Sequence, residues 1–282
     1  MKKNIFALFL AVFAMITVSS CKDERGTEPG NDSQPVATLY KYAAELPNNA
    51  DNDVRIRVAT NSVVKEVYYF AEKTETYKSN LASMGEDGYK NYVIEKGTKV
   101  NDLAGNSDKD FMLTGMFGSY TIAAVAVNGS SKTLSSIEFV GLIWSDIVKG
   151  QYYFAEKLYA AIPALSEPKE VVLQKCDNQD GLYRFKDLYG PGFDRKFYDS
   201  GETDEDENEE EYKLVYARSA NTPFTYGSYG AVSTRDVYTW QGDAADYLNG
   251  EMYDDGYVAL WMQYYVAAGN LGYGWEYFVP YK

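Results

Sequence analysis

Chemistry in this chain has to be done by carboxylates, hydroxyls and rings, because it has no histidine. Ser-His-Asp and Cys-His nucleophile systems, imidazole general bases and nearly all catalytic zinc sites need that ring. Two carboxylates could still act as acid and base on a glycosidic bond, and oxygen ligands could hold calcium. With 41 Asp and Glu residues, however, close carboxylates arise without any chemical reason, and no motif singles out a pair. No catalytic residue is therefore assigned. The expectation is a protein that is not an enzyme, with a carboxylate-based glycoside hydrolase as the minor alternative.

The densest carboxylates are in "ETDEDENEEE" at 202–211, where eight residues of ten are acidic. Asp204, Asp206, Asn208 and Glu210 have the spacing of the start of a calcium loop, but the glycine that makes its sharp turn is missing. A solvated hairpin loop held open by self-repulsion accounts for the same run, and no metal or cofactor is assigned.

Rings are the richer signal. Tyrosine alone numbers 27 of 282 residues. Along 257–266, Val258, Leu260, Met262, Tyr264 and Val266 share one side of a strand and read as its core face. The opposite side carries Tyr257, Ala259, Trp261, Gln263 and Tyr265, with Tyr257, Trp261 and Tyr265 spaced at roughly 13 Å. If that side is open, the rings can stack on sugar rings while Gln263 and the tyrosine hydroxyls meet ligand hydroxyls. If another element covers it, the same residues are core. Trp275 in "GNLGYGWEYF" and Trp240 in "VYTWQG" are secondary candidates for a ligand site.

The elements that would hold these residues begin after an export signal. Lys2 and Lys3 precede the apolar stretch Ile5–Val18, too short to span a bilayer comfortably, and Ser19 and Ser20 lead to Cys21. "VSSC" resembles a bacterial lipobox, which implies removal of residues 1–20 and acylation of Cys21. More than one acyl chain is needed for firm anchoring, at about 0.8 kcal/mol per buried methylene. Residues 21–36 then form a flexible tether rich in Pro, Gly and charge. Its start, "CKDE", is similar to the acidic-rich signal of Bacteroidetes lipoproteins that face the cell exterior. The implied location is the outer membrane, with the lipid on Cys21 inserted and the chain facing outward. A net charge of −14 argues against nucleic acid as a partner. Cys176 is the only other cysteine, so no internal disulfide forms in the anchored chain.

The remainder reads as all-β: an immunoglobulin-like β-sandwich over 37–146, followed by a second antiparallel β-sandwich domain over 147–282. "VRIRV" at 54–58 alternates apolar and basic residues. "VKEVYYFA", "NYVIEKG", "YTIAAVAV" and "SIEFVGLIW" follow as strands, separated by turn clusters such as "MGEDGYK" and "NGSSK". The segment "LTGMFGSYTIAAVAVNGSSKTLSSIEFV" resembles the end of a fibronectin type III domain, with Tyr120 opening the penultimate strand. "KEVVLQKC", "GLYRFKDLYG", "EYKLVYARS", "VYTWQG" and the aromatic series from Glu251 onward supply the second domain, whose arrangement is similar to the carboxy-terminal domain of two-domain Bacteroidetes surface lipoproteins. "VKEVYYFAEK" at 64–73 and "VKGQYYFAEK" at 148–157 agree at eight positions of ten, yet their flanks share nothing at the same offset. They read as two similar strands in two different domains, with true duplication as the minority alternative.

These features point to a non-catalytic surface lipoprotein that takes a glycan as ligand, as an accessory of polysaccharide capture. The competing reading is a structural or adhesive subunit that meets a surface protein partner. The anchor is directly testable. Cells fed a labelled fatty acid should label the native chain, and Cys21→Ser should abolish labelling and release the protein from the membrane fraction. Undiminished labelling of the variant would contradict acylation at Cys21.

Overall fold

A computed structural model describes residues 34–241 and 250–282. Residues 1–20, Cys21 and most of the tether lie outside the described residues, as does 242–249. Among the described residues no helix is long and apolar enough to cross a bilayer. The chain forms two compact units, one reaching to Phe139 and the other made of Glu45–Asn52 with Val140–Lys282. The division at Val140 falls a little before the expected 147, and Trp144 already opens the first strand of the second unit.

In the first unit, β1 (Ala37–Ala43), β2 (Val54–Thr60) and β5 (Asp108–Leu113) make an antiparallel sheet of order β1-β2-β5. A second sheet has order β4-β3-β6-β7, from β3 (Glu66–Lys73), β4 (Thr98–Lys99), β6 (Gly118–Asn128) and β7 (Ser131–Gly141). The alternation in "VRIRV" decides the sides of β2. Val54, Ile56 and Val58 join Val67, Ile122, Ala124 and Ala126 in one core. Arg57, on the other side, meets its cross-strand partner Asp110 at 2.7 Å. The Asn-Gly turn expected between the last two strands is present, with Gly129 at φ 61° supplying the left-handed backbone.

One expectation for this unit is corrected. "MGEDGYK" and "NYVIEKG" are a turn and a strand by sequence, yet both lie in helix α1 (Thr74–Lys96), which is kinked at Gly85, where φ is 66°. Tyr89 and Val93, four residues apart, are wholly buried against Ala123 and Val125, the β6 residues that face away from the two-sheet core. Both faces of β6 are thus covered, which is why "IAAVA" is apolar without alternation.

The second unit differs from the expected sandwich. Its strands β8 (Trp144–Tyr153), β9 (Lys169–Cys176), β10 (Leu182–Phe185), β11 (Arg195–Glu205), β12 (Glu211–Tyr216), β15 (Gly250–Met252), β16 (Val258–Val266) and β17 (Gly269–Pro280) pair successively. β17 then pairs with β8 as well as β16, so eight strands close into a barrel. Gly150 permits that closure, because a Cβ there would lie 2.3 Å from the Val279 carbonyl oxygen. β13 (Ala220–Thr225) and β14 (Ala231–Asp236) extend from the barrel through pairing of β14 with β16. "VYTWQG" does not form a strand: Val237–Gln241 is the short helix α2. On the strand faces opposite the interior, Asp51 accepts from Trp144 Nε1 at 3.0 Å and Arg184 Nη1 at 3.1 Å, and it also pairs with Lys196.

An eight-stranded barrel is just wide enough for side chains to fill. Phe185, Phe197, Phe278, Leu173 and Leu260 do so here. Two charged residues are sealed among them, Arg195 and Glu276, both 0% exposed. Arg195 donates to the Arg218 and Thr234 carbonyls at 2.7 and 3.0 Å and to the Tyr189 hydroxyl at 3.3 Å. Glu276 Oε2 accepts from the Tyr152 hydroxyl at 2.7 Å and from Tyr264 at 3.4 Å. Burial pushes the Glu276 carboxyl up to about 7, against the opposing hydroxyls of Tyr152 and Tyr264 and the charge of Arg195.

An unfolded Glu titrates near 4.5. Between that value and about 7 the native state holds a proton that the unfolded state releases, so this group's stabilising contribution falls as pH rises. The contribution is complete below 4.5 and lost as pH climbs through 7. Denaturation across this window should show a decline of about 3 kcal/mol attributable to Glu276, at ~1.4 kcal/mol per pH unit. Glu276→Gln, which cannot ionise, should flatten it. An unaltered pH profile in the variant would contradict the assignment.

Candidate ligand-binding face

Alternation in β16 divides its residues between two environments. Val258, Leu260, Met262, Tyr264 and Val266 face the filled interior, as the sequence indicates. Tyr257, Trp261 and Tyr265 are on the outer side and each is half-buried. At the register shift between Tyr264 and Tyr265 the extra residue is Leu271 of β17, so β16 keeps its alternation and Tyr265 stays on the side of Trp261. The ring contacts run across strands.

Trp261 stands opposite Trp275 of β17, with ring centres 5.2 Å apart, and stacks on Tyr273 at 6.2 Å. Tyr273 in turn meets Trp240 of α2 at 5.9 Å. Three of the four tryptophans in the chain are therefore in one cluster with a tyrosine. Trp240 and Tyr273 are its open members, 38% and 40% exposed. The indole N–H of Trp261 is buried with no acceptor among the described residues. A buried donor in that state costs about 1–3 kcal/mol unless something accepts from it.

Tyr257 belongs to a second group. Its ring lies 5.6 Å from Tyr253 and 6.4 Å from Tyr277, and Tyr253 continues to Tyr212 at 5.3 Å. Tyr277 is directly opposite Tyr153 of β8, and both are exposed. Burial, reinforced by the Glu251 carboxylate, pushes the Tyr253 hydroxyl up to about 12. Glu251 itself is raised by burial. The Tyr253 hydroxyl remains protonated at neutral pH.

Gln263 requires correction as a ligand contact. It is 1% exposed, and its side-chain oxygen accepts from Arg235 Nε at 2.7 Å. Arg235 lies over the Tyr265 ring at 4.5 Å. Gln263 thus orients Arg235, and Tyr265 supports it from below. Sequence reasoning missed Tyr153, Tyr273 and Tyr277. The signal for the last two was available, since Tyr273, Trp275 and Tyr277 occupy alternate positions in one strand.

The acidic run is a hairpin. Pairing of β11 with β12 continues to Glu205 opposite Glu211, and the turn is closed by the side chain of Asp206, whose Oδ1 accepts from the amides of Asn208 at 2.8 Å and Glu210 at 3.0 Å. Those amides hold the Asp206 carboxyl below the usual carboxylate range. Asp204 Oδ1 likewise accepts from the Glu205 amide at 2.9 Å. Among the described residues no group of three or more acidic or cysteine side chains is placed to hold a metal.

No protein-family model matches the chain, and no curated protein matches it. Solved structures give a distant likeness. A mutant of Kfla1895 in complex with cyclobis-(1->6)-alpha-nigerosyl is 13% identical, covers 83% of this chain and 30% of its own, and has a TM-score of 0.24. The same protein in complex with isomaltose gives 13% identity, 83% and 29% coverage, and a TM-score of 0.24. The chain spans less than a third of that protein.

Proposed function

We propose that this protein is a non-catalytic, outward-facing outer-membrane lipoprotein anchored through Cys21, and that it binds a glycan on the outer face of β16 and β17. In this reading the first unit is an immunoglobulin-like domain of the fibronectin type III kind that acts as a spacer. The separate sheets β1-β2-β5 and β4-β3-β6-β7 support that identification, with α1 inserted between the third and fourth strands.

The observation that carries the reading is the gathering of Trp240, Trp261 and Trp275 around Tyr273 on the outside of the barrel. Amphipathic rings of this kind supply an apolar face for a sugar's C–H groups and polar edges for its hydroxyls. The Trp261 N–H is buried, so it is the open rings of Trp240 and Tyr273 that would meet the ligand. The adhesive-subunit alternative draws on a terminal strand free to complete a neighbour's sheet. β17 is bonded on both edges, so nothing specific favours that alternative.

A soluble fragment beginning at Lys22 tests the reading by retardation in gels containing plant, host or microbial polysaccharides. At least one polymer should retard it, and Trp261→Ala should weaken binding by roughly tenfold or more, the usual effect of losing a central aromatic anchor. The variant's near-native melting temperature would show that the loss is local. Absence of retardation by every polymer would overturn the reading.

A further inference from the structure

The same face carries two cations that this acid-rich chain leaves without a carboxylate partner. Arg55, Arg57, Arg184, Lys196 and Lys213 all have acidic partners. Among the described residues, no carboxylate lies within ion-pair distance of Arg235 or Lys157. Other cations, such as Arg195 and Lys169, bond to carbonyl oxygens instead, so what marks Arg235 and Lys157 is their place beside the ring cluster.

Their placement is regular. Arg235 of β14 is opposite Gln263 of β16, and Gln263 is opposite Tyr273 of β17. The three define a line across the barrel wall, with neighbouring strands about 4.8 Å apart. At one end, Arg235 rests on Tyr265 and uses Nε–H on Gln263. A guanidinium has five N–H donors, so its outer fork is left for an anion. At the other end, the exposed Lys157 ammonium is 5.9 Å from the centre of the Tyr273 ring. Between the two lies Tyr273, with Trp261 beside it in the stack.

We propose that the ligand is an anionic glycan, whose sugar rings stack on Tyr273 and Trp240 and whose carboxylate or sulfate groups meet Lys157 and Arg235. This inference rests on the glycan-binding reading above and adds the charge of the ligand to it. Each cation supplies a charge-assisted hydrogen bond, which is shorter and stronger than a neutral one. The net charge of −14 opposes a densely charged polymer at long range. Over distances beyond about 8 Å at physiological salt that repulsion is screened, so the local cations decide contact. A short acidic oligosaccharide satisfies both conditions.

Calorimetric titration of the full-length protein in detergent tests this with three probes: short oligogalacturonates, the same oligomers with their carboxylates reduced to alcohols, and chondroitin sulfate oligosaccharides. At least one acidic probe should bind roughly tenfold or more tighter than the neutral oligomers, as one lost charge-assisted bond implies. Tighter binding of oligogalacturonate assigns a carboxylate, and because chondroitin sulfate carries glucuronate carboxylates as well, its tighter binding assigns a sulfate only where chemical desulfation removes the gain. In the double variant Lys157→Ala/Arg235→Gln the preference for the acidic probe over its neutral counterpart should disappear. Lys157→Ala alone, at an exposed position, decides the matter if the double variant melts early. Equal or tighter binding of the neutral oligomers, or a preference that survives loss of both cations, would overturn the inference and leave the glycan reading standing. If no glycan binds, acidic or neutral, both fall together.

Discussion

The hydrogen bonding of β17 on both of its edges is the constraint on which the second unit depends. Pairing with β16 from Val266 to Val258 and with β8 from Tyr153 to Gly150 turns a row of strands into a ring. The eight strands of the ring have no free edge, and the edge strand of this sheet is β13, paired with β14 alone. It also fixes, for every residue of β17, whether the side chain enters the interior or leaves it. Glu276 and Phe278 are sealed inside, while Tyr273, Trp275 and Tyr277 are set outside beside the rings of β16.

The tyrosines consequently do two different jobs. Tyr152, Tyr189 and Tyr264 fill the interior with their rings and use their hydroxyls to satisfy Glu276, Arg195 and one another. A buried charge retained without such partners would be costly. The outer tyrosines associate through ring contacts across strands. In composition these two populations are identical. Only the barrel wall separates them, and the same wall places Arg235, Gln263 and Tyr273 in register on its outside.

Much of the strand content was legible because a half-buried strand alternates. "VRIRV" and the Val258 side of β16 could be assigned to a core without any partner being known. Helix α1 was illegible for a local reason, since Gly85 and Gly88 look like turn residues and the apolar positions are sparse until Tyr89 and Val93 meet β6. The barrel was hidden for a non-local one. Sandwich and barrel strands have the same period of two, and closure is a property of register between Gly150 and Pro280, distant in sequence. The site was legible in part. Trp261, Trp275 and Trp240 were identified separately, and pairing joined them. Gln263 was misjudged because alternation gives the side of the sheet, not the Arg235 that covers it.

The central claim is that the tryptophan cluster on the outside of the barrel meets the ligand. The chain holds its own control, since Trp144, the fourth tryptophan, donates its indole N–H to Asp51 at 3.0 Å at the opposite end of β8 from the Gly150–Tyr153 stretch that pairs with β17. The direct measurement is a nitrogen-proton correlation spectrum of the four indole groups, assigned by single Trp→Phe substitutions, during titration with a retained oligosaccharide. The account predicts that the signals of Trp240, Trp261 and Trp275 shift together, with Trp240, the open indole of the cluster, moving most, while Trp144 stays fixed. A shift of Trp144 with the other three unmoved would contradict it.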